Sequence, residues 1–377
     1  MYSDFDAMMM RQALALAEHA LYTATPNPRV GCVITQDENI IGEGYTQPAG
    51  QNHAEPQALQ AARLRGAKLQ GATAYVTLEP CSHIGRTPPC VHALIKSGIS
   101  RVVVAMEDPN PLVSGRGLQA LRDAGISVHC GLLKEAAQEL NIGFIHRMHH
   151  SRPWVRMKIA ASVDGKIALY NGQSQWITSA QSRQDNHAWR ARACAILSGI
   201  GTVRHDNPQL NVRGITTPRQ PLKVIVDSNL QIPETSRLLH RGLTLIATAD
   251  LPEEQIHKRS ALQAHGVDIV TLPNAHGKVD LPALMHTLAE RGINEVHTEA
   301  GNRLNGALLK AHCVDELLIY LAPSILGDGC DMFHIGPLAS LNEKHDFRFH
   351  HVEKVGQEVR LILRRPTLST PAPPFNG

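Results

Sequence analysis

The chain has 377 residues, 43% of them hydrophobic, enough material for about two domains, each with a sizeable core. Its net charge is only +3, its Lys and Arg residues are scattered and aromatics make up 4%, so neither the clustered basic footprint nor the stacking platforms of a nucleic-acid binder are present. No run nears the roughly 18–20 apolar residues of a membrane span, the acidic start Met1-Tyr-Ser-Asp-Phe-Asp6 does not read as a signal peptide, and seven sparsely placed cysteines fit reduced thiols in a cytoplasmic protein.

In chain order, the apolar positions Met10, Ala13, Leu14, Ala17 and Leu21 predict a helix over Ala7 to Leu21. Thr25-Pro-Asn-Pro-Arg29 breaks it, and residues 30–35 form an apolar run suited to a buried strand. Gly42 to Gly50 reads as loop. Helices are expected over 54–65, 90–97 and 117–124, and strands over 73–78, 101–106 and 126–129. Strands alternating with helices argue for an α/β architecture. The polar, basic stretch Arg147-Met-His-His-Ser-Arg-Pro153 marks a boundary, giving domains over 1–147 and 153–365. Beyond it, strands are expected over 154–161, 195–197, 222–226, 244–248, 295–298 and 316–322, with a helix over 179–193. The Pro-rich stretch 366–377 reads as a disordered tail.

The chemistry-bearing residues of the first half are His53, Glu55, Cys81 and Cys90. Each potential metal ligand sits at the end of a predicted element, where a loop or first helical turn can aim it into a shared pocket. A helix N-terminus also stabilises thiolate, the form that binds metal. His53, Cys81 and Cys90 would leave the fourth position of a tetrahedral zinc open, the mark of a catalytic site, and zinc lowers the pKa of water to about 7. Glu55, two residues beyond His53, is placed to shuttle a proton. The pattern is the zinc-deaminase signature H-x-E followed by P-C-x-x-C, except that eight residues, ending in Pro88-Pro89, separate the two cysteines. His83 could instead close the site as a fourth ligand, which would make the metal structural; a substrate contact is the preferred reading. Pro56 is tolerable in a first helical turn, where its missing N–H has no partner.

Thr25-Pro-Asn-Pro-Arg-Val-Gly31, His53-Ala-Glu55 and Thr77-Leu-Glu-Pro-Cys-Ser-His-Ile-Gly-Arg-Thr-Pro-Pro-Cys90 resemble the bifunctional deaminase–reductase family of riboflavin biosynthesis, to whose motif the eight-residue insertion belongs. Asp108-Pro-Asn-Pro111 and Gly115-Arg-Gly117 fit it as well. The resemblance implies a cytidine-deaminase-like α/β/α domain followed by a dihydrofolate-reductase-like α/β domain, with Zn2+ and NADPH as cofactors. It also implies deamination of a diamino-pyrimidinone ribosylamino 5′-phosphate, with Asn27, His83 and Arg86 holding the pyrimidine, and then reduction of the ribosyl group to ribityl.

Without that resemblance the second half is less telling. It lacks G-x-G-x-x-G after a strand, so no Rossmann fingerprint is present. Glu299-Ala-Gly-Asn-Arg-Leu-Asn-Gly-Ala307 follows a predicted strand and could offer backbone N–H groups to phosphate, although a plain βα turn is the more common reading of such a run. Lys158, Arg190 and Arg213 are candidate anion contacts. By resemblance, Ala160, Trp176, Thr202, Asp206, Ser228 and the run Gly301, Asn302, Arg303, Leu304, Asn305, Gly306, Ala307 would line the NADPH site. Lys158, Ser174, Arg190, Leu210, Arg213 and Glu299 would hold substrate, with the arginines near its 5′-phosphate.

The expected partner is therefore a small phosphorylated pyrimidine, with no nucleic acid or membrane; a homo-oligomer is expected, with no residue pattern to specify it. The competing reading is a nucleic-acid or nucleoside deaminase with a fused nucleotide-binding domain, against which the low aromatic content and balanced charge weigh. A non-catalytic zinc scaffold would have no use for Glu55.

Overall fold

A computed structural model of the chain describes residues 2–83 and 88–366. Arg86 and the tail beyond Pro366 lie outside the described residues. The chain divides into two compact units, the first comprising Met1–Pro153 with Thr217–Arg219 and Ala289–Asn294, the second the remainder.

The first unit contains β1 (Gly31–Gln36), β2 (Asn39–Tyr45), β3 (Thr73–Val76), β4 (Arg101–Val104) and β5 (Ser127–Cys130), in the sheet order β2-β1-β3-β4-β5. β1 runs antiparallel to both neighbours, while β3, β4 and β5 are parallel. Its helices are α1 (Asp4–Glu18), α2 (Ala54–Leu64), α3 (Cys90–Ser97), α4 (Arg116–Asp123), α5 (Lys134–Leu140) and α6 (Ile142–His150). A Cβ built on Gly31 would lie 1.8 Å from the Ala13 carbonyl oxygen of α1. Those built on Gly42 and Gly44 would lie 2.2 and 2.4 Å from the Ala58 and Ala54 carbonyls of α2. Gly44 pairs with Cys32, the neighbour of Gly31. Successive strand residues point to opposite faces, so α1 and α2 cover opposite faces, giving an α/β/α sandwich.

The same contacts explain a strand that composition disguises. Gly42 and Gly44 read as loop residues, yet they lie inside β2 because only a hydrogen fits beneath the alanine face of α2 (Ala54, Ala58 and Ala62, all fully buried). Helix α1 also begins three residues earlier than its apolar stripe suggests. The Ser3 hydroxyl accepts the Asp6 N–H and the Asp6 carboxylate accepts the Ser3 N–H, a capping box. Arg147, His149 and His150, expected in a linker, form the last turn of α6, where positive charge suits a helix C-terminus.

The second unit holds β6 (Trp154–Ser162), β7 (Lys166–Leu169), β8 (Ala195–Gly199), β9 (Leu222–Val226), β10 (Thr244–Thr248), β11 (Asp268–Thr271), β12 (Glu295–Thr298), β13 (Glu316–Ala322), β14 (Gly329–Asp331), β15 (Arg348–Val355) and β16 (Glu358–Arg364). Nine of them form one sheet in the order β11-β10-β9-β8-β12-β6-β13-β16-β15. It is parallel from β11 to β13 and antiparallel at the β16–β15 edge. Its helices are α7 (Ala180–Arg192), α8 (Ile200–Asp206), α9 (Ile256–Ala264), α10 (Leu281–Glu290) and α11 (Asn302–Lys310). The strands β6, β8, β9, β10, β12 and β13 were legible as apolar runs, whereas β11, short and only partly buried, was not. The β15–β16 hairpin was not, because β15 is exposed along most of its length and carries His, Glu and Lys rather than an apolar face.

A buried charge cluster ties the centre of this sheet to its edge. The Arg156 guanidinium, 1% exposed, pairs with Glu316, its register partner on β13, and donates to Glu295 at 3.2 Å. Arg364 on β16 is also registered with Glu316 and donates to its other oxygen at 2.8 Å. Trp189 of α7 lies under Arg156, 4.4 Å from ring centroid to guanidinium carbon. Breaking one partner of such a cluster strands a buried charge, so it enforces strand register.

Candidate functional site

In the first unit, three elements deliver the metal-type donors. His53 is the N-cap of α2, Cys81 follows β3 by a short turn, and Cys90 is the first residue of α3. Cys81 and Cys90 Sγ lie 3.7 and 3.3 Å from His53 Nδ1, and the three donor atoms sit within 4.8 Å of one another. Tetrahedral zinc with bonds of about 2.0–2.3 Å separates its ligand atoms by about 3.5–3.8 Å, so this donor set fits zinc in spacing as well as in chemistry. The N–H of Cys90, at the α3 N-terminus, donates to Cys81 Sγ at 3.4 Å. Contacts from Cys90 and His53 hold the Cys81 thiol down at about 4, a thiolate. Glu55, 3% exposed, stands in the first turn of α2. Burial and then the Cys81 thiolate push its carboxyl up to about 7. His83 is exposed and is not part of the donor cluster, so among the described residues the set is three-fold and leaves a vertex for a reactant. Asn27, half-buried, sits in the turn before β1.

In the second unit, a cavity of about 980 Å³ opens at the carboxyl ends of β8 and β12, where α/β sheets bind ligands. It is lined by Lys158, Ala160, Ser174, Trp176, Arg190, Thr202, Asp206, Leu210, Arg213, Glu299, Gly301, Asn302 and Asn305. A Cβ built on Gly201 or Gly301 would meet no heavy atom within 4 Å, so both glycines border open space, and Asn305 Oδ1 is buried without a partner. The open glycine at the start of α11, where first-turn N–H groups have no partner within the helix, fits the phosphate of a nucleotide cofactor, and Asn305 Oδ1 offers an acceptor to a donor group of the same ligand. Five expected residues do not line the cavity. Arg303 and Ala307 lie off the face of Asn302 and Asn305 because α11 turns about 100° per residue; Leu304 is pressed against Gly199, and Gly306, on the Asn302 face one turn further on, is covered by the His334 backbone. Ser228 is engaged by the Val279 N–H at 3.2 Å.

Arg190 and Glu299, both expected to meet substrate, are bound first to each other. Arg190 Nε and Nη2 donate to the two Glu299 oxygens at 2.5 and 2.6 Å, while Nη1 donates to the Asn211 carbonyl at 2.9 Å. Asn186 Nδ2 donates to Glu299 at 3.1 Å, and its Oδ1 meets His297 Nε2 at 3.0 Å. Burial alone would raise the Glu299 carboxyl, but Arg190 and then His297 hold it well below the usual range. Arg213 has no carboxylate partner among the described residues; its Nη1 donates to Asn211 Oδ1 at 2.5 Å. Burial pushes the Lys158 ammonium down despite nearby Glu299.

Sequence reasoning missed Arg183, Asn186, His187 and Arg237 as lining residues. The first three, with Arg190, fall at helical spacing on α7, a polar stripe that could have flagged a helix face turned to a ligand.

The two sites define a zinc-type deaminase joined to a nucleotide-dependent reductase, and comparison with known proteins is specific on both. Residues 3–106 match the cytidine and deoxycytidylate deaminase zinc-binding region, and residues 153–361 match the RibD C-terminal domain. The riboflavin biosynthesis protein RibD of Escherichia coli K12 is 43% identical over 372 residues, covering 95% of this chain and 99% of that protein. That of Aquifex aeolicus is 39% identical, covering 97% and 100%. Among solved structures, Acinetobacter baumannii RibD superposes with a TM-score of 0.88 at 40% identity, covering 96% of this chain and 98% of that one. A Thermotoga maritima diaminohydroxyphosphoribosylaminopyrimidine deaminase/5-amino-6-(5-phosphoribosylamino)uracil reductase gives 0.85 at 34%, covering 96% and 99%.

The chain belongs to the RibD family, the bifunctional deaminase–reductases of riboflavin biosynthesis. Its fold is accordingly a cytidine-deaminase-like unit followed by a dihydrofolate-reductase-like unit, and its cofactors are Zn2+ and NADPH. Among the described residues no helix is long and apolar enough to cross a membrane.

Proposed function

We propose that residues 1–147 carry the deaminase and residues 153–365 the reductase, with His53, Cys81 and Cys90 holding the zinc. The convergence of these three donors beside a buried carboxylate is the observation that carries this reading. Zinc, when bound, supplies the electrophilic charge that acidifies a water near neutral pH. Glu55 takes a proton from that water on a carboxylate oxygen and delivers it to the departing amine. Asn27 and His83 orient the pyrimidine, a role proposed by family resemblance for Arg86 as well.

NADPH, when bound, supplies the reducing equivalents for the ribosyl carbon. Gly301, Asn302 and Asn305 at the start of α11, with Thr202, Asp206, Ala160 and Trp176, form its seat. Ser174, Leu210 and Lys158 hold the deaminated substrate. Arg213, with no carboxylate of its own, meets the 5′-phosphate. Arg190 acts through Glu299, whose carboxylate it fixes toward the cavity.

The enzyme works in the cytoplasm, where the thiols of its zinc site stay reduced. It assembles as a homo-oligomer through the β15 edge of the nine-stranded sheet, whose outer backbone side carries no strand among the described residues and is open to pairing with a second copy. Metal analysis of the purified chain, combined with ammonia release from the diamino-pyrimidinone substrate, tests the core of the reading. About one zinc per chain and release of ammonia are expected, whereas ammonia release from a metal-free chain would sink it. Sedimentation as a monomer would refute the assembly.

A further inference from the structure

We propose that Glu79 is a positioning residue of the deaminase, holding the Pro80–Cys81 turn in place by gripping the backbone of residues 108–118. The proposal rests on the zinc-site reading above. Glu79 is 3% exposed and has no cationic partner among the described residues. Its charge is met entirely by backbone. Oε2 accepts the N–H groups of Asp108 and Gly115 at 3.1 and 3.0 Å, and Oε1 those of Gly117 and Leu118 at 2.8 and 3.2 Å. Four donors match the roughly four acceptor sites of an ionised carboxylate, and a buried carboxylate without a cation is tolerable only when so satisfied. Gly117 and Leu118 lie in the first turn of α4, whose N–H groups have no partner within the helix.

The grip reaches the ligand through one peptide. The Glu79 N–H donates to the Met106 carbonyl at 3.0 Å, fixing the backbone at the end of β4. A Cβ built on Gly117 would fall 2.1 Å from the Pro80 carbonyl oxygen, so α4 abuts the residue directly before Cys81 and admits only glycine there. Gly115, with φ of +77°, makes the left-handed turn that points its N–H at Glu79. Asp108 Oδ1 accepts the Asn110 N–H at 2.8 Å and shapes the loop between. On its other side Cys81 is held by α3, its sulfur taking the Cys90 N–H and its carbonyl the Val91 N–H at 3.3 Å. The runs Asp108-Pro-Asn-Pro111 and Gly115-Arg-Gly117, which the zinc chemistry leaves unused, thereby form the socket for Glu79.

The test uses the full-length chain and two variants. Glu79→Gln turns an amide NH2 toward two N–H donors, and Glu79→Asp keeps the charge but withdraws it by one methylene, so each loosens the grip by a different route. Zinc affinity is read by titration against a competing chelator, and ligand geometry by the absorption bands of the cobalt-substituted protein. Both variants should bind zinc about 10 to 100 times more weakly and shift the cobalt bands. NADPH oxidation with the already deaminated substrate should be unchanged, showing that the second unit is intact. Wild-type zinc affinity and an unshifted cobalt spectrum in both variants would overturn the proposal. Should Glu79→Gln not fold, Glu79→Asp decides by the same two readings. A wild-type chain that takes up no zinc would instead refute the metal site itself.

Discussion

The two catalytic units assemble their sites by opposite strategies. The first unit draws the clustered His53, Cys81 and Cys90, and the buried Glu55 proposed as their proton carrier, from a 38-residue window, His53 to Cys90. The reductase cavity is lined by residues from Lys158 to Cys330, contributed by strand ends, α7, α11 and the loops between them. A metal requires few donors at fixed spacing, so a short motif can encode its site. A dinucleotide and a sugar phosphate spread over a long cleft, which only a whole sheet can frame.

That contrast can be broken most sharply by removing the metal. Chelation should abolish ammonia release while leaving NADPH oxidation on the deaminated substrate in place; loss of both activities would show that the units depend on one another. Next in size, Glu55→Gln should retain zinc and lower the rate of ammonia release by about 10²–10⁴-fold, with the reductase rate unaltered. Unchanged ammonia release would end its assignment as proton carrier.

The reductase side is sharpened by Glu299→Gln, which removes the charge gripping Arg190. A cost of about 1.5–3 kcal/mol in thermal stability is expected at neutral pH, with a fall in reductase kcat/KM. The Glu299 carboxyl is held below its unfolded value, so its contribution is fully present above about pH 4.5 and fades as pH drops toward the lower folded value. The melting difference between wild type and variant should therefore shrink in acid; a gap that stays constant down to pH 3 would contradict the ion pair. The smallest effect is expected at β2. Gly44→Ala would place a methyl against the Ala54 carbonyl and should cost the first unit about 1–3 kcal/mol, read by its thermal unfolding with the reductase rate unchanged.

The cluster of His53, Cys81 and Cys90 was legible because His and Cys at those spacings beside an acidic residue have few other uses, and most of the buried parallel strands because Val, Ile and Leu runs have few other homes. What stayed hidden was encoded by neighbours distant in the chain. Gly42 and Gly44 look like loop residues until α2 is laid over them. Ser228 and the later residues of Gly301 to Ala307 belong to the right segments, but side-chain direction, set by helix turn and loop packing, takes them away from the cavity. Arg190 and Glu299 each read as a substrate contact, whereas the fold spends them first on each other.

The amino-acid sequence alone determined the family, the alternation of strands and helices and which His and Cys residues would cluster, since these depend on residue chemistry and on periodicities spanning a few residues. The tertiary structure alone decided which side chains face the reductase cavity and which charge neutralises which. It also decided that Glu79 closes on backbone 29 and 38 residues further along, because such pairings arise only when close packing brings remote backbone and side chains within hydrogen-bonding reach.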